Sequence, residues 1–294
     1  MLQANALLAL AAAVVWGGGD FSGGMGAKYA GGSIRGALRV VLTSHASGLV
    51  VLVLIALLRH DSFPHGAPVV WSMVSGLMGC LSVTAFYIAL SRGAMGASAA
   101  VSGLLAAAIP SVVGIIHDGR PGWMTMAGFV IAGCSIWLIA AGENPESTPA
   151  STATMWLAVA SGAGFGIYFV ALKYAATAGL IWPMATARLT SVVSSSTILL
   201  VMALAARSAP ETGATWLPRR AVLWALVTAL GDTSGNLLFM AATRAGRLDV
   251  ASVLASLYPA STILLAAWAL HERPTRRQGL GMLIAAVAVV MITL

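Results

Sequence analysis

Asp232 is the residue of this sequence with the clearest chemical potential. It lies near the middle of a long apolar segment, within TALGDTSGN at 228–236. A charged side chain at the centre of a bilayer costs about 2.5–3.5 kcal/mol on insertion scales, so Asp232 must face protein or a wet cavity. Asn236 follows one helical turn later, and Phe239 three residues after that, on the same helix face. An acid, an amide and an aromatic ring would suit the amino group and apolar side chain of an amino acid.

Asp232 has two further interpretations. Burial would favour its protonated form, which makes it a candidate proton carrier. It could instead cap a helix interruption beside its neighbouring glycines, or pair with an arginine.

Asp20, in VWGGGDFSG at 15–23, is a second embedded acid and a candidate site residue. Because Asp20 lies past the middle of its segment, it could also simply reach the membrane interface.

Arg39 and Arg188 occupy equivalent places in the two halves of the chain. Either guanidinium could bind a substrate carboxylate through two parallel hydrogen bonds. The plainer interpretation is that each reaches the lipid headgroups or ties its helix to a neighbour. Pro110 and Pro259 each remove a helical hydrogen bond, which is tolerated where helices line a cavity, and both are candidate hinges.

Other polar and aromatic residues in apolar segments complete the predicted substrate site. His45 is left out, because a single helical histidine is more often a structural residue with its hydrogen bonds satisfied. The predicted substrate-binding residues, with those already named, are Trp16, Asp20, Arg39, Tyr87, Ser102, Phe165, Tyr168, Asp232, Asn236, Phe239, Ser256 and Tyr258.

The composition indicates whether water or lipid surrounds this protein. Of its 294 residues, 59% are hydrophobic and only 9% are charged, and the mean hydropathy is +0.90. Soluble domains carry about 25% charged residues, so lipid must surround this chain. The net charge of +7 comes from basic residues scattered singly through short connections, which argues against nucleic-acid binding.

The sequence lacks the motifs of several enzyme and cofactor-binding classes. The sequence has no GxSxG and no HExxH, and its glycine runs form no GxGxxG after a strand. Cys80 and Cys134 show no metal-ligand spacing and are expected to pack in the interior. We therefore predict no catalytic residue, no metal and no cofactor. The glycine pairs four residues apart predict close helix packing instead, at Gly19 and Gly23, Gly162 and Gly166, and Gly231 and Gly235.

The hydropathy pattern predicts ten membrane spans, since about 20 apolar residues cross a bilayer. The first apolar segment lacks a basic leader and is interpreted as a span, not a cleaved signal. A polar linker rich in proline and serine occupies 142–151, at the midpoint. The spans are predicted near 3–27, 34–58, 68–90, 97–116, 122–141, 152–175, 184–206, 220–243, 250–270 and 276–294.

The two halves repeat one another. The turn HDGRP at 117–121 follows a segment containing Pro110, and HERP at 271–274 follows one containing Pro259. Since five spans are an odd number, the second half must cross the membrane in the opposite sense to the first. We therefore predict an all-α membrane protein of ten helices in two inverted five-helix repeats, 1–141 and 152–294, the arrangement of many secondary transporters.

The ordered motifs resemble the drug/metabolite transporter superfamily, EamA type. They are Trp16-Gly17-Gly18, Arg39, Arg188, Tyr87-Ile88-Ala89-Leu90, Leu257-Tyr258-Pro259, and His271-Glu272-Arg273 followed by Gly279 and Gly281. The first half departs from this pattern with Asp118 in place of the acidic Glu272. The resemblance implies export of amino acids and other small metabolites across the bacterial inner membrane, with both termini cytoplasmic.

Some expectations compete. The Lys and Arg count of the connections leans towards external termini, against the resemblance. A cationic-drug exporter on the same scaffold is the nearest alternative, and it would be favoured by cavity acids without a carboxylate-binding arginine. An intramembrane enzyme would need a nucleophile with a base or a metal cluster, and a non-transporting scaffold would leave the midplane acids unexplained.

Overall fold

The computed structural model describes residues 4–91, 95–140, 151–205, 216–269 and 274–293. These residues form helices joined by short connections and include no strand. The predicted linker, apart from Ser151, and the turn at 271–273 lie outside the described residues. The helices are α1 (Ala4–Tyr29), α2 (Ile34–Leu58), α3 (Ala67–Ser91), α4 (Met95–Asp118), α5 (Trp123–Ala140), α6 (Thr152–Ala175), α7 (Ile181–Ala205), α8 (Arg219–Ala245), α9 (Leu248–Ala255), α10 (Tyr258–Ala269) and α11 (Arg276–Thr293).

The helices have the length and composition of membrane spans. Nine helical segments of the described chain are long and apolar enough to cross a bilayer, with α9 and α10 counted as one segment, and α5 is apolar but shorter. Large apolar side chains such as Leu58, Val130 and Leu283 are exposed on the outside of the bundle. Lipid is the solvent that such a surface requires.

The ninth predicted span is two helices. The chain leaves helical geometry after Ala255 and resumes it at Tyr258, so that Pro259 falls in the first turn of α10. A proline costs a helix nothing there, because the first amides of a helix have no partner within it. Pro110 behaves differently, since α4 continues through it without a break. The two hinge candidates therefore differ in backbone structure.

The two halves pack through reciprocal contacts. Helix α1 lies along α8, and α3 lies along α6, so the first and third helices of each half meet across the interface. The second helices, α2 and α7, pack against each other, as do the last, α5 and α11. Helix α4 likewise packs against α9. The main contacts between the halves therefore have counterparts with the halves exchanged.

Close approach of α1 and α8 depends on two glycines. A Cβ built on Gly231 would lie 2.9 Å from both the Cα and the backbone N of Gly19, and a Cβ on Gly19 would lie 3.1 Å from the backbone N of Asp232. The predicted glycine pairs thus do lie at a helix crossing. This crossing sets the depth and rotation of Asp232 in the bundle.

We expect Gly231→Ala to lower the free energy of unfolding by about 1–3 kcal/mol, because the new methyl group would meet backbone atoms that cannot move aside. The measurement is thermal unfolding of the purified protein in detergent. Gly24→Ala, also in α1, is the matched control, since its Cβ would meet nothing within 4 Å. Equal melting temperatures for the two variants would show that the α1–α8 crossing is not closely packed.

Candidate functional site

A cavity of about 70 Å³ lies between the halves of the bundle. Helices α2 and α3 of the first half and α6, α7 and α8 of the second contribute side chains to it. The cavity can hold several water molecules. Its polar lining consists of His45, Ser75, Tyr168, Arg188, Ser191 and Asp232, and its larger apolar lining residues are Val83, Phe165 and Met184.

An ion pair between the buried Arg188 and the partly buried Asp232 forms one wall of this cavity. The Nη2 atom of Arg188 lies 2.6 Å from Oδ2 of Asp232, and the Arg188 side chain is 4% exposed. Nη2 also lies 3.4 Å from the Thr233 hydroxyl. The Nε atom of Arg188 is buried and has no hydrogen-bond partner among the described residues. Arg188 therefore neutralises Asp232 and keeps an unused donor.

His45 joins this ion pair to helix α7. Its Nε2 atom lies 3.3 Å from Oδ2 of Asp232, and its Nδ1 atom lies 2.6 Å from the hydroxyl of Ser191. An ionised carboxylate can only accept, so Nε2 must carry a hydrogen. In the neutral imidazole Nδ1 then accepts from Ser191, whereas in the imidazolium it donates to Ser191. The Ser191 hydroxyl can serve either state.

Asn236 and Tyr168 hold the other carboxylate oxygen. The amide Nδ2 of Asn236 donates to Oδ1 of Asp232 at 3.0 Å and to the Asp232 carbonyl at 2.7 Å. The Tyr168 hydroxyl donates to Oδ1 of Asn236 at 2.6 Å. Asn236 is fully buried. The carboxylate of Asp232 is therefore oriented by donors from α2, α7 and α8, and through Asn236 by α6.

The predicted aromatic residues divide into two groups. Phe165 and Tyr168 line the cavity. Trp16 and Phe239 instead form a buried cluster with Phe169, in which the ring of Trp16 stacks on that of Phe169 at 5.3 Å and Phe239 lies 4.8 Å from Phe169. Tyr258 touches this cluster edge-on. None of its members lines the cavity, so the cluster packs behind the residues that form the cavity wall.

Arg39 and Asp20 lie apart from the cavity lining. The guanidinium of Arg39 lies 5.0 Å from the ring centre of Trp216, close to the start of α8. Asp20 is exposed on α1, one residue beyond the Gly19 crossing. The equivalent positions of Arg39 and Arg188 in the sequence therefore have different surroundings, because only Arg188 meets an acid of the cavity.

The remaining predicted site residues are either buried in helix packing away from the cavity or lie outside the described side chains. The hydroxyl of Ser102 is buried 3.1 Å from that of Ser161, where α4 meets α6. Ser256 is buried at the break between α9 and α10, and its hydroxyl has no partner among the described residues. Tyr87 falls outside the residues whose side chains the structure describes.

The predicted site omitted three residues that line the cavity with Asp232, namely His45, Arg188 and Ser191. The sequence had offered Arg188 as a possible carboxylate binder, with attachment of its helix to a neighbour as the plainer interpretation. A signal was available for two of them, because charged or titratable side chains at bilayer depth have few possible partners other than one another. Three such residues, in the second, seventh and eighth spans, could have been grouped on that ground. Ser191 carried no comparable signal.

The order Ser191–His45–Asp232 has the composition of a hydrolase triad but not its supporting groups. Asp232 is already neutralised by Arg188, which weakens its hold on the imidazole. Ser191 lies within the continuous helix α7, where its backbone N–H belongs to the helical hydrogen bonds and cannot stabilise an oxyanion. This geometry suits binding of a charged ligand better than covalent chemistry.

Comparison with known proteins assigns the class. Residues 152–294 match the EamA-like transporter family. This second half of the chain belongs to that family, a family of membrane transporters in the drug/metabolite transporter superfamily. The resemblance drawn from the sequence is thereby confirmed over residues 152–294. No curated protein matches the sequence.

Solved structures share the fold. Chains from solved structures match this one in 29 cases. One of them, a crystal structure of a protein, covers 100% of this chain and 99% of its own length, with a TM-score of 0.74 and 16% sequence identity. At that identity the match concerns the fold alone. It extends the likeness over both halves of the chain.

Proposed function

We propose that this protein is a secondary transporter that exports small metabolites, amino acids first among them, across the bacterial inner membrane. The observation that carries the proposal is the buried Arg188–Asp232 pair on the wall of a cavity between the halves. With no nucleotide-binding motif in the sequence, a gradient of the substrate or of protons would drive transport.

An amino acid carries an ammonium and a carboxylate on one carbon, and this pair of residues complements both. Asp232 would accept the ammonium, while the unused Nε donor of Arg188 would help to bind the carboxylate. Tyr168 and Ser75 add hydroxyls close by, and Phe165 offers an apolar surface for the side chain. An unpaired buried donor costs about 1–3 kcal/mol, which a bound carboxylate would recover.

The same pair argues against an exporter of organic cations. Such a carrier needs an acid whose charge is free to attract the drug. Asp232 is neutralised at 2.6 Å by Arg188 and also accepts from His45 and Asn236. A cation without a carboxylate would have to displace one of these donors and would leave the Nε donor of Arg188 without an acceptor. The zwitterion satisfies both charges.

Alternating access through two inverted repeats is part of the proposal. Its support is the reciprocal packing of the halves, in which the main contacts have exchanged counterparts. Repeats of this kind can exchange conformations around a site between them. We retain the orientation with both termini cytoplasmic.

One end of the bundle carries a set of ion pairs suited to a gate. Arg247 binds Asp249 at 2.6 Å and donates to the carbonyl of Asp118 at the end of α4. Lys173, from α6, lies 3.2 Å from the Asp118 carboxylate. These contacts join the ends of α4, α6 and α9. We propose that they close this end while the cavity is accessible from the other.

The test is flux through proteoliposomes containing the purified protein. Vesicles loaded with a single unlabelled amino acid should accumulate its labelled form by exchange. A panel of the twenty amino acids and several cationic dyes would give the specificity. We expect exchange of zwitterionic amino acids and none of dyes. Dye transport without amino-acid exchange would favour the cationic-drug alternative, and no flux for either class would refute the carrier function.

A further inference from the structure

Both oxygens of the Asp232 carboxylate already accept hydrogen bonds, and His45 makes the longest of these contacts. Asp232 accepts from Arg188 at 2.6 Å, from Asn236 at 3.0 Å and from His45 at 3.3 Å. A substrate ammonium can reach this carboxylate only by displacing one of these donors. His45 makes the longest of the three contacts, and it faces the cavity from which the substrate would come.

We propose that His45 is the binding site of an exchangeable proton, and that this proton competes with the substrate ammonium for Asp232. The inference rests on the proposed function and assigns its coupling ion. In this scheme the protein is an antiporter. In each cycle the protein carries the substrate in one direction while His45 is neutral. It carries a proton in the other direction while His45 is an imidazolium.

Charge balance explains the competition. In the empty site Arg188 and Asp232 cancel, so protonation of His45 changes the net charge of the three groups from zero to plus one. Arg188 already places one cation on Oδ2 of Asp232, and an imidazolium at His45 is a second. A substrate ammonium would then be a third cation on a carboxylate that carries a single negative charge, and the other two would repel it. Binding of the ammonium therefore requires His45 to lose its proton.

The proton has a path that leaves the hydrogen bonds intact. It departs from Nδ1, the nitrogen facing Ser191, to water in the cavity, and histidine and hydronium are the products. Ser191 then turns from acceptor to donor at the same 2.6 Å contact. Nε2 keeps its hydrogen throughout. The step needs no reactant other than water, for which the cavity has room.

The helices that pack against α2 carry other titratable groups. Helix α7 contributes Arg188, and α8 contributes Asp232. From α3, Cys80 is bonded to Ser195, one turn from Ser191. Helix α1 contributes the exposed Asp20. Among the described side chains, His45 alone combines contact with Asp232, a cavity-facing position and an imidazole, the side chain type that most often exchanges protons in proteins.

The experiment measures proton release and exchange with the full-length protein, using the best amino acid from the panel. In weak buffer with a pH dye, binding should release about one proton per substrate in the pH range where His45 is protonated. Apparent affinity should fall about tenfold per unit of acidification in that range. An acid exterior should also accelerate efflux from loaded vesicles.

His45→Gln keeps a donor and an acceptor but cannot hold the proton. It should release none, and its affinity should change less than about twofold over the same pH range. His65→Gln, in the exposed connection between α2 and α3, should behave as wild type. Proton release that persists in His45→Gln would overturn the assignment. Wild-type protein that exchanges amino acids but releases no proton would overturn it too, while leaving the proposed function intact.

A folding defect in His45→Gln would leave the wild-type measurements decisive, because they need no variant. Ser191→Ala gives a second readout. It removes the group that bonds Nδ1 in both protonation states, so we expect proton release to remain while its rate falls. If Ser191→Ala released the proton on substrate binding as fast as the wild type does, the proposed path through Nδ1 would be wrong.

Discussion

Asp232→Asn is expected to abolish amino-acid exchange while leaving the protein folded. Asparagine has nearly the shape of aspartate and can still bond Asn236, but it carries no charge to hold a substrate ammonium. Removing one member of a buried charge pair from a binding site costs about 2–5 kcal/mol, so affinity should fall about 30-fold or more. The measurement is the initial rate of labelled amino-acid uptake in exchange, at several substrate concentrations.

Asp61→Asn is the matched control for this variant. Asp61 is an acid at the end of α2 that pairs with Arg59 at 3.2 Å, outside the cavity. Loss of this exposed pair should change the rate little, because surface ion pairs contribute at most about 1 kcal/mol. Asp232→Asn protein that is folded and transports at the wild-type rate would remove Asp232 from the site.

Arg188→Gln is expected to have the largest effect on stability. The variant leaves Asp232 charged in the interior of a membrane protein with only His45 and Asn236 to bond it. Breaking a buried ion pair in this way costs about 3–5 kcal/mol. The apparent melting temperature in detergent should fall by many degrees. Transport should be lost as well, because the carboxylate of the substrate loses its partner.

The double variant Arg188→Gln/Asp232→Asn separates the two effects. With both charges removed, the interior holds a neutral pair of amides, so most of the lost stability should return. Transport should stay absent, since neither end of the substrate has its partner. A double variant that is no more stable than Arg188→Gln would mean that the two residues do not form a pair in the folded protein.

The helices themselves could be derived from the sequence. An apolar run of about 20 residues has one stable form in lipid, because only a helix satisfies its backbone groups internally. The spans predicted at 34–58 and 152–175 coincide with α2 and α6. The break before Tyr258 could not be placed in this way. Both Pro110 and Pro259 permit a break, and the surrounding helices decide which one is used.

The sequence alone therefore determined that this is a helical membrane protein, and it predicted that Asp232 faces protein or a cavity. Only the tertiary structure decided which residues surround that acid. His45 and Ser191 are 146 positions apart, and each lies on an apolar helix whose inner and outer faces differ little in polarity. The reason is physical: lipid is as apolar as a protein core, so hydrophobicity does not mark which side of a membrane helix faces its neighbours.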